Sequence, residues 1–218
     1  MKYVIMCGGQ YNFWETPRQL LNIGGERVVD RTIRLLRKFG VDDICITSNN
    51  PAFDSCGVPR LTHPNSYVSE QEGKNSGYWL DAFYPDFTDK EVCFIFGDVY
   101  FTENAIKTIV NYKASTDTLF GTGIARNALH KNWGEPFAYK VVDYPHFMEA
   151  VREVKELQDK GKLKRVALVW ELYRYLNGLD VNVQSVKDDT YIVIDDITMD
   201  MDSPDAAAKM KSKIEGTL

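Results

Sequence analysis

Cysteine and histidine are scarce in this chain, with four and three copies in 218 residues, and neither is spaced to hold a metal. Cys7, Cys45, Cys56 and Cys93 form no C-x-x-C pair, and no histidine stands at ligand spacing from them, which argues against a zinc site. Three of the four lie in or beside apolar runs, where a reduced cysteine behaves as a small hydrophobe, as suits a cytoplasmic protein. A basic excess is also missing: 26 Lys and Arg against 31 Asp and Glu leave a net charge of −5. That balance argues against a nucleic-acid partner, which calls for a basic face, but leaves room for a small nucleotide held by a few local donors. No apolar stretch approaches membrane-spanning length, so no membrane partner is expected. The opening run Met1–Cys7 is too short for a signal-peptide core and passes straight into Gly8-Gly9. Repeats, low-complexity tracts and Pro/Gly/Ser-rich linkers are absent, and the expectation is one domain over residues 1–218, as monomer or homodimer.

What is present is an ordinary globular composition, 44% hydrophobic and 26% charged. A chain of this length buries roughly 70% of its unfolded surface and needs no covalent staples. The first half alternates strand-like and helix-like segments. Tyr3–Cys7, Asp43–Thr47 and Val92–Phe96 are short apolar runs of the kind that form buried strands. Glu26–Phe39 is an amphipathic helix stopped by Gly40, Ser76–Tyr84 reads as a second, and Thr102 caps a third that runs to about Tyr112. The second half is more mixed. Strands are predicted at Thr118–Thr122, Phe137–Val142, Val181–Val186 and Tyr191–Ile194, helices at Pro145–Asp159 and Val166–Leu176, and a polar connector at Gly161–Arg165. Ser203-Pro204-Asp205 then opens a final helix, with Ser203 as N-cap, Pro204 at the first helical position and Asp205 in the first turn. This order predicts an α/β fold, a three-layer α/β/α sandwich around a mixed, mainly parallel sheet.

Two places stand out for chemistry. Gly8-Gly9-Gln10 directly follows the first strand, where a glycine turn lets backbone amides approach phosphate oxygens, although a plain tight turn has the same sequence. It is neither G-x-G-x-x-G nor G-x-x-x-x-G-K-[ST], so neither a dinucleotide fold nor a P-loop is indicated. Gly97-Asp98 ends the apolar strand Val92–Phe96. A carboxylate there faces the crevice in which α/β sheets bind ligands, and one or two such groups suffice to hold Mg²⁺ beside substrate phosphates. A turn residue or helix cap is the alternative.

The loop goes on to Thr16-Pro17-Arg18-Gln19-Leu20-Leu21, Ile23-Gly24-Gly25 and the helix ending at Gly40. In this order the chain resembles the nucleotidyltransferases with a glycosyltransferase-A-like fold, among them the sugar-phosphate and phosphocholine cytidylyltransferases. Their glycine loop is followed by T-P-K-x-L, a glycine turn and a helix. Asp200-Met201-Asp202-Ser203-Pro204-Asp205 likewise resembles the family's closing D-[ST]-P segment. The resemblance spans nearly the whole chain, the middle only loosely. It implies that the loop wraps a triphosphate, that Arg18 takes the place of the family lysine beside the α- and β-phosphates, and that Asp98 and Asp202 ligate Mg²⁺. Asp200 shares a side with Asp202 if that stretch is extended, and Asp195 and Asp196 enlarge the acidic cluster. Gln10–Trp14 carries no basic residue where the family loop usually has a second arginine.

Weaker signals are Ser48 and Asn49 at the end of the second strand and Ser76-Gly77 at a helix start, both placed to contact base or ribose and both readable as plain turns or caps. Lys131 and Trp133, in His130–Pro136, sit where acceptor loops usually lie and would meet a phosphate and a cationic group, or else belong to a surface loop. Trp170, Tyr173 and Tyr175 read as packing. The implied activity is transfer of a nucleoside monophosphate, with CTP favoured, to a small phosphorylated acceptor. Two readings compete: a glycosyltransferase of the same fold, disfavoured because Asp98 has Phe96 and Tyr100 two residues either side instead of a D-x-D, and a non-catalytic nucleotide- or sugar-phosphate-binding module.

Overall fold

The computed structural model describes residues 1–8, 14–62, 77–84, 87–123 and 134–216. Three apolar runs become the strands at the centre of the sheet: β1 (Lys2–Met6), β4 (Ile44–Thr47) and β6 (Val92–Phe96). Two short strands, β2 (Asn22–Ile23) and β3 (Glu26–Arg27), and the helix α1 (Val28–Lys38) lie between β1 and β4, and β5 (Arg60–Leu61) follows β4. After β6 come β7 (Val99–Tyr100), α2 (Glu103–Asn111), β8 (Thr118–Gly121), β9 (Pro136–Val141), α3 (Tyr144–Asp159), α4 (Val169–Leu176), β10 (Tyr191–Val193), β11 (Met199–Asp200) and α5 (Pro204–Glu215).

Seven strands form one sheet in the order β10-β8-β9-β6-β1-β4-β5. All neighbours are parallel except where β9 meets β6 and β8, so β9 alone runs against the rest. The sheet is mixed and mainly parallel with flanking helices, as the alternating segments imply. Val4, Ile5 and all of Val92–Ile95 have no exposure, which is why these strands read as continuous apolar runs and not as alternating ones. Thr102 caps α2 by accepting from the Ala105 amide at 3.0 Å, and Ser203 caps α5 by accepting from the Ala206 amide at 3.2 Å, with Pro204 just inside. Trp170 and Tyr173 are buried in the core as packing residues.

Two predicted elements differ. Val181–Val186 is a loop and not a strand. Asp180 accepts from the Asn182 amide, and the Asn182 side chain accepts from the Lys164 amide and donates to the Lys162 carbonyl, so local side-chain bonds take the place of a ladder. The segment predicted as a helix over Ser76–Tyr84 has only a 3₁₀ turn at Trp79–Ala82, with Tyr78 and Phe83 extended on either side and Ser76 outside the described residues. Leu80 and Phe83 are fully buried, so core packing overrides helical periodicity there.

A second, smaller apolar cluster joins Ile23, Val28, Tyr100, Met201, Ala207 and Met210. It ties the β2–β3 hairpin and α5 to the β7–β11 pair. The hairpin turns through Gly24 and Gly25, both at positive φ, and a side chain on Gly24 would lie 2.8 Å from Ile214 of α5.

Gly97 sits where β1 and β6 end side by side. Its amide donates to the Met6 carbonyl at 3.0 Å, and a Cβ there would stand 2.6 Å from that oxygen and 2.7 Å from the Cys7 sulfur. Only glycine lets the two strand ends stay this close. Gly97→Ala is expected to lower unfolding free energy by about 1–3 kcal/mol, the usual cost of overpacking, as measured by chemical denaturation.

Candidate active site

Parallel β1, β4 and β6 end at one edge of the sheet, and the residues just past them are Gly8, Ser48 and Gly97-Asp98. The Cys7 amide donates to the Thr47 carbonyl at 2.9 Å, which keeps the first two ends adjacent. This is the carboxyl edge at which open α/β sheets bind ligands.

The C-terminal segment reaches the same edge by pairing with the chain just after Asp98. Strands β7 and β11 are antiparallel, with Val99 opposite Asp200 and Tyr100 opposite Met199, and the Met201 amide donates to the Asp98 carbonyl at 3.0 Å. Extended backbone turns successive side chains to opposite faces. Met201 points into the small apolar cluster with no exposure, and Asp200 and Asp202 turn the other way, toward Asp98. Oxygens of Asp98, Asp200 and Asp202 all lie within 4.8 Å of one another. Asp196, expected to enlarge this cluster, instead accepts from the Thr102 hydroxyl at 2.5 Å and the Thr198 amide at 2.7 Å, tying the chain to the start of α2.

Arg18 bridges the cluster. It lies on a 3₁₀ turn, Arg18–Leu20, directly after Pro17, and is 7% exposed. Nη1 donates to Asp202 Oδ1 at 2.7 Å and Nη2 donates to Asp98 Oδ2. The arginine singled out for phosphate is therefore also the counter-ion of the two aspartates singled out for metal. Asp98 is 19% exposed and Asp202 62%, so the bridge runs from the interior to the rim.

A fourth carboxylate was not foreseen as a site residue. Glu135, at the entrance to β9, is hydrogen-bonded to Asp200. Burial is the main reason its carboxyl is pushed up to about 7; Asp202 and Asp98 add to the rise and the bond to Asp200 opposes it. Asp200 is pushed up to about 10, again mainly by burial, then by Asp98 and Asp202, with Arg18 opposing. Burial and Asp202 also raise Asp98, against the pull of Arg18. Among the described residues Asp200 Oδ1 is buried with no hydrogen-bond partner. Oxygens of Asp98, Asp200 and Asp202 converge on one guanidinium, and an oxygen-seeking cation such as Mg²⁺ fits that donor set.

The other sequence candidates are distributed unevenly. Gly8 lies at the edge itself. Ser48 is buried at the end of β4, its hydroxyl accepting from the Asn50 amide at 3.1 Å, and the exposed Asn49 follows it. Gly77, at positive φ, leads into the 3₁₀ turn, and its neighbour Tyr78 donates to Asp159 of α3. No hydrogen bond or ion pair among the described residues joins Gly77 to the aspartates. Gly9, Gln10, Ser76, Lys131 and Trp133 lie outside the described residues.

The fold has counterparts among solved structures. A provisionally assigned glucose-1-phosphate thymidylyltransferase from Bacillus anthracis, solved with sucrose, superposes with a TM-score of 0.62 at 14% identity, over 98% of this chain and 94% of its own. The fold is that of the nucleotidyltransferases. Rv0371c from Mycobacterium tuberculosis H37Rv gives a TM-score of 0.60 at 15% identity over 97% of this chain and 96% of its own. HddC from Yersinia pseudotuberculosis gives 0.56 at 14% over 97% and 98%. No protein-family model matches the chain, and no curated protein matches it in sequence. At these identities the nucleotidyltransferase likeness is one of fold. Among the described residues no helix is long and apolar enough to cross a membrane.

The raised carboxyls set a pH dependence. Asp200 and Glu135 hold their protons more tightly in the folded chain than in the unfolded one. The stability penalty is therefore absent below the ordinary carboxylate range and grows as pH rises, through about 7 for Glu135 and on toward about 10 for Asp200. Without divalent cations, Asp200→Asn is expected to raise the melting temperature at pH 8 by about 2–4 °C, what ~1 kcal/mol yields at this size, with the gain fading near pH 4. Thermal scans across pH in a chelator check this.

Proposed function

We propose that this protein is a nucleotidyltransferase that moves a nucleoside monophosphate, CMP by preference, from a nucleoside triphosphate onto a small phosphorylated acceptor such as a sugar phosphate or phosphocholine. The observation that carries the reading is the meeting of Asp98 and Asp202 through Arg18 at the carboxyl edge of the sheet. The preference for CTP rests on the likeness to cytidylyltransferases and on the compact chain.

In this reading an oxygen of the acceptor phosphate attacks the α-phosphorus in line. The bond from that phosphorus to the bridging oxygen breaks, and pyrophosphate leaves with the electron pair. The acceptor is already anionic, so no side chain has to remove a proton, and catalysis reduces to positioning and charge compensation. Asp98 and Asp202 would hold Mg²⁺, which when bound neutralises charge on the reacting phosphates. Arg18 is charged at any working pH, and its two-armed fork grips phosphate oxygens as well as carboxylates. Gly8, just past the end of β1, would let backbone come close to the same phosphates. Gly9 and Gln10 complete that loop, Ser48, Asn49, Ser76 and Gly77 are assigned to base and ribose, and Lys131 and Trp133 to the acceptor.

The test is pyrophosphate release from each nucleoside triphosphate with Mg²⁺ and a panel of phosphorylated acceptors. Release that requires one matched pair is expected. No release with any pair contradicts the reading, and turnover of a nucleotide sugar would then mark a glycosyltransferase. Asp98→Asn and Asp202→Asn keep the side-chain shape and are each expected to lower kcat by about a hundredfold or more with the fold intact by circular dichroism. Activity near that of the parent protein would mean the site lies elsewhere.

A further inference from the structure

We infer that Arg18 is a built-in competitor of the divalent cation: its guanidinium neutralises Asp98 and Asp202 until cation and nucleotide arrive together, and then exchanges those carboxylates for phosphate oxygens. This rests on the reading above that the two aspartates hold the cation. The arms of Arg18 engage Asp202 Oδ1 and Asp98 Oδ2, oxygens from two chain segments that the cation would have to share. A guanidinium and a dication cannot both lie between two carboxylates that a buried arginine already bridges without strong mutual repulsion. The cation alone must therefore displace a two-armed ion pair and leave a buried positive charge unmatched. Arriving with a triphosphate, it brings anionic oxygens that accept the displaced guanidinium, so the exchange conserves charge pairing. It calls only for rotation of the Arg18 side chain, because the backbone there is fixed. The Leu20 amide donates to the Pro17 carbonyl at 2.8 Å, the Leu21 amide to the Arg18 carbonyl at 3.2 Å, and Val28 at the start of α1 to the Leu21 carbonyl at 3.1 Å. The functional consequence is ordered entry: the metal–nucleotide complex is taken as a unit, and free metal is bound weakly.

Titration of Mn²⁺ against the protein without nucleotide, with free Mn²⁺ followed by electron paramagnetic resonance, tests this. Arg18→Gln is expected to bind Mn²⁺ about tenfold or more tightly than the parent, Arg18→Lys to fall between them, and Asp202→Asn in the Arg18→Gln background to abolish the gain. Equal or weaker binding by Arg18→Gln, with Mn²⁺ affinity still lost on Asp202→Asn, overturns the competitor role and leaves the cation reading intact. Mn²⁺ binding indifferent to Asp98 and Asp202 in every background overturns both. Should Arg18→Gln not fold by circular dichroism, the parent protein supplies the test: the Arg18 guanidinium ¹⁵N resonance is expected to shift when Mg²⁺ and CTP are added together and to stay put with Mg²⁺ alone at the same concentration. An unchanged resonance under both conditions overturns the exchange.

Discussion

Three carboxylates with oxygens inside 4.8 Å of one another repel, and the candidate site is organised around that repulsion. Arg18 takes up part of it with one arm on Asp98 and the other on Asp202. Protons that burial helps Asp200 and Glu135 to keep take up more. What remains is a deficit of positive charge at a point where the backbone is held by strand pairing and cannot open to relieve it. A site of this kind is a standing demand for cations.

The fold creates this situation through two close approaches. Gly97 lets β1 and β6 end in register, which brings Asp98 to the end of β1. The β7–β11 pair then lays the C-terminal segment along the residues after Asp98, and Met201, buried between two outward aspartates, fixes which side faces the site. The small cluster of Ile23, Val28, Tyr100, Met201, Ala207 and Met210 links that segment to the hairpin following Arg18, so the acids and their counter-ion are positioned by one set of packing contacts.

Much of this was legible in the sequence, for identifiable reasons. The central parallel strands are unbroken apolar runs because both faces are covered, and α2 and α5 announce their starts with Thr102 and Ser203-Pro204. The pairing of Asp200 with Asp202 followed from period-two alternation around Met201. What was not legible depended on contacts distant in sequence. Nothing near Arg18 says that it bridges two aspartates from elsewhere in the chain. Glu135 lies in a loop whose neighbours drew attention for other reasons. Asp196 counts as one more acid in a run until Thr102 claims it. Lys140, inside the strand predicted at Phe137–Val142, is 3% exposed, and its ammonium donates to the carbonyls of Ile109, Val110 and Tyr112 at the end of α2. Val181–Val186 has strand-like composition, but Asn182 bonds locally and the ladder never forms.

The central claim is that Asp98 and Asp202 share one divalent cation at the carboxyl edge of the sheet. Anomalous diffraction at the manganese edge, from crystals grown with Mn²⁺ and CTP, tests it most directly. The account predicts a manganese peak ligated by carboxylate oxygens of Asp98 and Asp202, with the triphosphate next to it. An ordered nucleotide whose manganese touches neither aspartate, or manganese bound at another face of the molecule, would contradict it.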